Sequence, residues 1–114
     1  MKHILIIDDE PDIGLLMRSM LRSAGFAAEY ASSAASARKL LVSNNYETIF
    51  LDLHLGDEHG LNLLAEIHEN QENPEVVVIT AYDEPATRKR VANKGIRHFI
   101  PKPFKKSQVL AILA

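Results

Sequence analysis

Ile49-Phe50-Leu51-Asp52-Leu53 is an apolar run with a single carboxylate placed where the run is about to end. Only Asp52 interrupts it, so the stretch reads as a short strand buried on both faces of a parallel sheet, not one alternating between core and water. Asp52 then belongs at the strand's C-terminal tip. In the middle of a buried strand an unpaired carboxylate is costly, whereas at the mouth of an open α/β sheet it faces the crevice where such folds bind ligands.

Working outward, the same grammar recurs. Ile4-Leu5-Ile6-Ile7 is a β-branched run that ends in Asp8-Asp9-Glu10, and Pro11 suits the first position of a helix, where no N–H is needed. Ile13, Leu16, Met17, Met20, Leu21 and Ala24 follow at helical spacing, and Gly25 closes that helix. Residues 27–31 form a weak strand containing Glu29, as expected at a sheet edge, and Ser32 or Ser33 caps a second helix with apolar positions Ala37, Leu40 and Leu41 that ends at Asn44-Asn45. After the opening stretch comes a loop with Gly56 and Gly60, then a helix burying Leu61, Leu63, Leu64 and Ile67. Val76-Val77-Val78-Ile79 is another buried run, stopping at Thr80-Ala81. Asp83-Glu84-Pro85 opens a polar fourth helix, stopped by Gly95, whose few anchors (Ala86, Val91, Ala92) predict loose packing. Arg97-His98-Phe99-Ile100 suits the other edge and leads into Pro101-Lys102-Pro103-Phe104. The last helix, about 106–114, shows Val109, Ile112 and Leu113 on one face. It stops at Ala114 without a cap, as a helix clipped at its end or a domain cut from a longer chain would.

Composition narrows the function classes. A chain of 114 residues, 46% hydrophobic, makes one domain spanning 1–114. A formal charge of -2 gives no electrostatic reason to bind nucleic acid or an anionic membrane. The lack of cysteine excludes disulfides, thiolate metal sites and cysteine nucleophiles, and fits a cytoplasmic protein. No apolar run approaches the roughly 20 residues of a membrane span, and the acids at 8–10 cut the first run too short for a signal peptide. The five histidines offer no pair at metal-ligand spacing on one helix face, and Arg88-Lys89-Arg90 with Lys94 and Arg97 reads as a solvated face.

Five repeats of strand then helix imply a doubly wound, five-stranded parallel sheet with helices on both faces, a three-layer α/β/α, flavodoxin-like architecture. The weak second and fifth strands at the edges give the order 2-1-3-4-5. Every strand's C-terminal end then lies on one side. Asp8 and Asp9, Asp52, Thr80 and Lys102 become neighbours there. Two carboxylates about 4 Å apart repel by roughly 4 kcal/mol at an effective dielectric near 20, so such a cluster calls for a cation, and oxygen-only ligands suit Mg²⁺. With Lys102 and the Thr80 hydroxyl as donors opposite, the set is built for phosphoryl transfer onto Asp52.

These residues resemble the receiver domain of two-component response regulators, the chemotaxis-type receiver superfamily, over the whole chain. The markers are the acidic pair Asp8-Asp9, Asp52, Thr80 and Lys102-Pro103, in the right order and each at a strand end. The resemblance implies that Asp52 is the phosphoacceptor, that Asp9 and Asp52 hold Mg²⁺ (or Mn²⁺) directly with Asp8 acting through water, and that the His54 backbone carbonyl completes the set. It implies that Thr80, Ala81 and Lys102 contact the phosphoryl group, that Thr80 and Phe99 form the switch, and that the Lys102–Pro103 peptide is cis. His54 and Tyr82, each two residues past a site residue, would modulate phosphate lifetime. The implied donor is a sensor histidine kinase or a histidine phosphotransfer protein, and the switched surface is the face of helix four, strand five and helix five. A C-terminal output domain or separate target, and a homodimer on phosphorylation, are left open. Gly56 stands where the family often has Pro, and Val91 and Ile96 replace alanines usual around the glycine after helix four.

Two other classes compete. An aspartate-nucleophile phosphohydrolase would want a second Asp two residues after the first, where this chain has His54. A flavin carrier on the same fold would want a Ser/Thr/Gly-rich phosphate loop after strand one, where Asp8-Asp9-Glu10-Pro11 would repel the phosphate. An unphosphorylated receiver-like interaction module would not need every chemical position filled. The signalling phosphoacceptor, which assists only its own phosphorylation and dephosphorylation, is the reading that uses all of them.

Overall fold

The computed structural model describes residues 2–114. Strands and helices alternate: β1 (His3–Ile7), α1 (Pro11–Ser23), β2 (Ala27–Ala31), α2 (Ala34–Ser43), β3 (Thr48–Leu51), α3 (Leu64–Asn70), β4 (Glu75–Thr80), α4 (Pro85–Asn93), β5 (His98–Pro101) and α5 (Lys106–Leu113). A single 3-10 turn, Gly60–Leu63, leads into α3, so Leu61 and Leu63 are buried from that turn and not from a regular helix. All strand pairs are parallel, in the order β2-β1-β3-β4-β5.

The central strands are buried on both faces because their apolar runs are continuous, and alternate side chains feed two separate cores. Ile4, Ile6, Phe50, Val77, Ile79 and Ile100 point to the side covered by α1 and α5, where Met17, Leu21, Val109 and Leu113 meet them. Leu5, Ile7, Ile49, Leu51, Val76 and Val78 point to the side of α2 and α3, meeting Ala37, Leu41, Leu64 and Ile67. Each face of the sheet is thus covered by an apolar helix stripe, the condition for a stable three-layer domain.

Two helix readings need correction, and a third is narrowed. Leu16 is 60% exposed and Ala24 is exposed, because Gly14, Met17 and Leu21 turn toward the sheet and Leu16 falls outside that stripe. On α4, Ala86 and Ala92 face water and only Val91 is buried. The fourth helix is therefore held by one apolar side chain, looser than its three candidate anchors suggested. Ser33, of the two serines, is the α2 cap: its hydroxyl accepts the Ser36 N–H at 3.1 Å.

Strand register brings the C-terminal ends level with one another. Ile7 pairs with Leu51, and Leu51 with Val78, while Thr80 pairs with Pro101. The ladder runs one step further on both sides: Asp52 N–H donates to the Ile7 carbonyl at 2.9 Å, and Lys102 N–H to the Thr80 carbonyl at 2.8 Å. Asp8, Asp52 and Lys102 are each the first residue past a strand, held by backbone bonds that leave their side chains free to converge.

Candidate functional site

The carboxylates of Asp8, Asp9, Glu10 and Asp52 each offer an oxygen, and these oxygens all lie within 4.8 Å of one another. Asp8 and Asp52 are buried, at 2% and 4% exposure, while Asp9 and Glu10 are exposed. Lys102 closes the cup. Its ammonium is 2.9 Å from Asp8 Oδ2, 2.9 Å from Glu10 Oε1 and 3.0 Å from Asp52 Oδ2. The other Asp52 oxygen accepts the His54 N–H at 3.3 Å, and Asp8 Oδ1 accepts the Glu10 N–H at 2.8 Å.

Four carboxylates therefore face one ammonium. Burial pushes the Asp52 carboxyl up to about 6, against the pull of Lys102 and with a further push from Asp8. Burial also works against the Lys102 charge, but its bonds to Asp8 and Glu10 and the nearby Asp52 hold the ammonium above its ordinary range. A divalent cation would relieve the excess negative charge. The donor set is all oxygen, shallow enough on the Asp9 side to leave room for water, and fits Mg²⁺ or a similar hard cation.

The remaining predicted residues surround this cup without all touching it. Thr80 is fully buried at the end of β4, and its hydroxyl accepts the Tyr82 N–H at 3.2 Å. Ala81 is exposed beside it. The His54 ring packs at a tilt on Tyr82 with centroids 4.0 Å apart and meets His59 edge-on at 5.4 Å, so three rings form a wall on the β3 and β4 side. The Lys102–Pro103 peptide is cis. Phe99 is half-buried against the α2 and α3 core, and the Arg88 guanidinium lies 4.5 Å over its ring while also bridging to Asp83.

Several contributing residues escaped the sequence reading. Glu10 joins the cup, a role hidden because it looked like a helix-capping acid. Gly60 has no room for a side chain: a Cβ there would lie 2.0 Å from the Asp52 carbonyl oxygen, so the 3-10 turn packs directly on the backbone that presents Asp52. Gly56 has φ 74°, which a proline cannot adopt, so the loop turns here along a path that a proline at this position would forbid. From the same loop Asp57 reaches α2, accepting the Ala34 and Ala35 N–H groups at 3.2 and 3.3 Å.

A parallel α/β domain presenting an acidic cup, a buried strand-end Asp and a lysine at one sheet edge defines a class of phosphoacceptor modules. Comparison with known proteins agrees. The family described as "Response regulator receiver domain" matches residues 4–114. Transcriptional regulatory protein SrrA of Staphylococcus aureus is 33% identical over 108 residues, which are 95% of this chain and 44% of SrrA. The chain thus spans less than half the length of the curated relatives it matches. A response regulator from Burkholderia pseudomallei, solved with a phosphorylated aspartic acid, calcium and citrate, superposes with TM-score 0.91 at 31% identity, covering 100% of this chain and 67% of the other. The response regulator TrrA of Thermotoga maritima, in complex with Mg²⁺ and BeF, superposes with TM-score 0.85 at 26% identity, covering 99% of this chain and 96% of that one. The chain belongs to the response regulator receiver domain family, whose members act in two-component signalling. Among the described residues no helix is long and apolar enough to cross a membrane.

Proposed function

We propose that this domain takes a phosphoryl group on Asp52 Oδ from the phosphohistidine of a sensor kinase or phosphotransfer protein, and that the resulting charge redistributes the α4, β5 and α5 face. The observation that carries this is the Asp8, Asp9, Glu10 and Asp52 cluster closed by Lys102. In the transfer the donor's N–P bond breaks, an Asp52 O–P bond forms, and the imidazole leaves with the N–P electron pair and takes up a proton. Asp9, Asp52 and the His54 carbonyl, with Asp8 acting through water, would hold a Mg²⁺, which would supply charge neutralisation for the phosphoryl oxygens. Lys102 binds one of those oxygens from the opposite side, Thr80 donates its hydroxyl to another, and Ala81 leaves space beside them.

Toward Tyr82 the Thr80 hydroxyl is an acceptor, which leaves its own O–H to donate to the phosphoryl group, and Phe99 must leave the Arg88 guanidinium if it turns inward. Phosphorylation drives this only to the extent that it binds one arrangement better than the other. The ring wall of His54 and Tyr82 meters water reaching the phosphoryl group. The domain is a self-acting phosphoacceptor, not a turnover enzyme, since no second Asp stands at position 54 to serve as acid and base.

Intact mass spectrometry with a small phosphodonor tests the reading. One phosphoryl group is expected on the wild type with Mg²⁺, and none in EDTA or in Asp52→Asn. Modification that survives Asp52→Asn overturns the assignment. Following decay of the added mass in His54→Ala and Tyr82→Ala tests the wall, with unchanged lifetimes removing it.

A further inference from the structure

We infer that Tyr30, on the edge strand β2, is a positioning residue for the cation-holding loop, acting through the Asp8 carbonyl. The inference rests on the proposed role of Asp8 and Asp9 and goes beyond it. Tyr30 lies outside the acidic cup, yet its hydroxyl donates to the Asp8 carbonyl at 2.7 Å. Asp8 is then held at three points: its N–H by the Ala31 carbonyl at 3.1 Å, its side chain by Glu10 N–H and Lys102, and its carbonyl by Tyr30.

The carbonyl bond matters most for the next residue. Because the peptide is planar, fixing the Asp8 C=O fixes the Asp9 N–H and directs its Cα. Asp9 is exposed, and its carboxylate takes part in none of the described side-chain hydrogen bonds or ion pairs. With no side-chain partner to orient it, that carboxylate depends on the backbone beneath it, which the Tyr30 bond to the Asp8 carbonyl helps to fix.

A second observation shows that the sequence makes room for this strut. Gly14 sits inside α1, where glycine is a poor helix former. A Cβ built there would lie 2.0 Å from Tyr30 Cε1, so the ring lies directly across the bare glycine backbone on its way to the loop. The bare Gly14 backbone leaves the space through which the Tyr30 ring, packed against the core under α1, reaches the turn after β1.

Calorimetric titration of MgCl₂ into the metal-free chain tests this. Tyr30→Phe keeps the ring and loses only the bond to Asp8, so the Mg²⁺ dissociation constant is expected to rise roughly three- to tenfold, the range one hydrogen bond spans. Gly14→Ala, which crowds the ring, is expected to shift the constant the same way although alanine is the better helix former. Tyr46→Phe is the control: it loses a comparable hydroxyl bond, to Glu29 at 2.7 Å, at the other end of the sheet, and is expected to leave the constant unchanged. Wild-type affinity in Tyr30→Phe overturns the inference, as does an equal loss in Tyr46→Phe, which would mark general loosening. Absence of Mg²⁺ binding by the wild type instead overturns the underlying site reading, and the strut with it.

Discussion

At the scale of single residues, the site stores unfavourable charge. Asp52 is 4% exposed, sits beside Asp8, and is only partly balanced by an ammonium it shares with two other acids. Removing one partner of a well-balanced buried pair destabilises a protein, but removing a surplus like charge has the opposite sign. Asp52→Asn is therefore expected to stabilise the metal-free domain at pH 7 by about 1–3 kcal/mol. Urea denaturation in EDTA reads this directly, and a less stable variant would mean that the Lys102 bond outweighs the repulsion. Asp52, Asp8 and Thr80 were legible because each ends an apolar run, and Lys102 because it follows a short edge strand and precedes Pro103, patterns written along the chain. Tyr30, Glu10 and Gly60 were not, since what matters there is reach across elements that lie far apart in sequence.

Elements differ in how firmly they are tied. The α2 N-terminus has two caps, one local and one long-range. Ser33 accepts the Ser36 N–H, while Asp57, from the β3–α3 loop, accepts the N–H groups of Ala34 and Ala35. The Ala34 bond in particular holds the Asp57 carboxyl below the usual carboxylate range, outweighing its slight desolvation. Because the folded value is lowered, the stabilisation is present above the ordinary carboxylate range and disappears as pH falls through the lowered one. Asp57→Ala is expected to melt earlier than the wild type at pH 7, with the gap closing in acid. A gap that stayed constant with pH would show that the charge plays no part. Element existence and order were readable from runs and punctuation, including both edges. The 3-10 start of α3 was not, because the close approach of Gly60 to Asp52 dictates it and no periodicity records that.

At the scale of the whole molecule, the sheet divides into two unequal halves. β1 and β3, packed on both faces and extended by Asp8 and Asp52, carry the acids; β4, α4 and β5 carry Thr80 and Phe99. A ligand that binds only the folded acid cup stabilises the fold by mass action, about 2.7 kcal/mol at a hundredfold excess over its dissociation constant. For a domain of this size that is roughly 10 °C or more in melting temperature. MgCl₂ is expected to raise the melting temperature of the wild type in this way and to leave Asp9→Asn nearly unmoved. Equal shifts in the two proteins would place the ion elsewhere.

α4 is joined to the body through Val91 alone among its buried residues, with Arg88 resting on Phe99 as a second, solvent-facing tie. A segment moored so lightly can be lifted without dismantling a packed interior, and the free energy separating a resting from a displaced arrangement is expected to be small. Were α4 the moving part of the proposed switch, such a small separation would make it sensitive, with feeble inputs enough to tilt the balance.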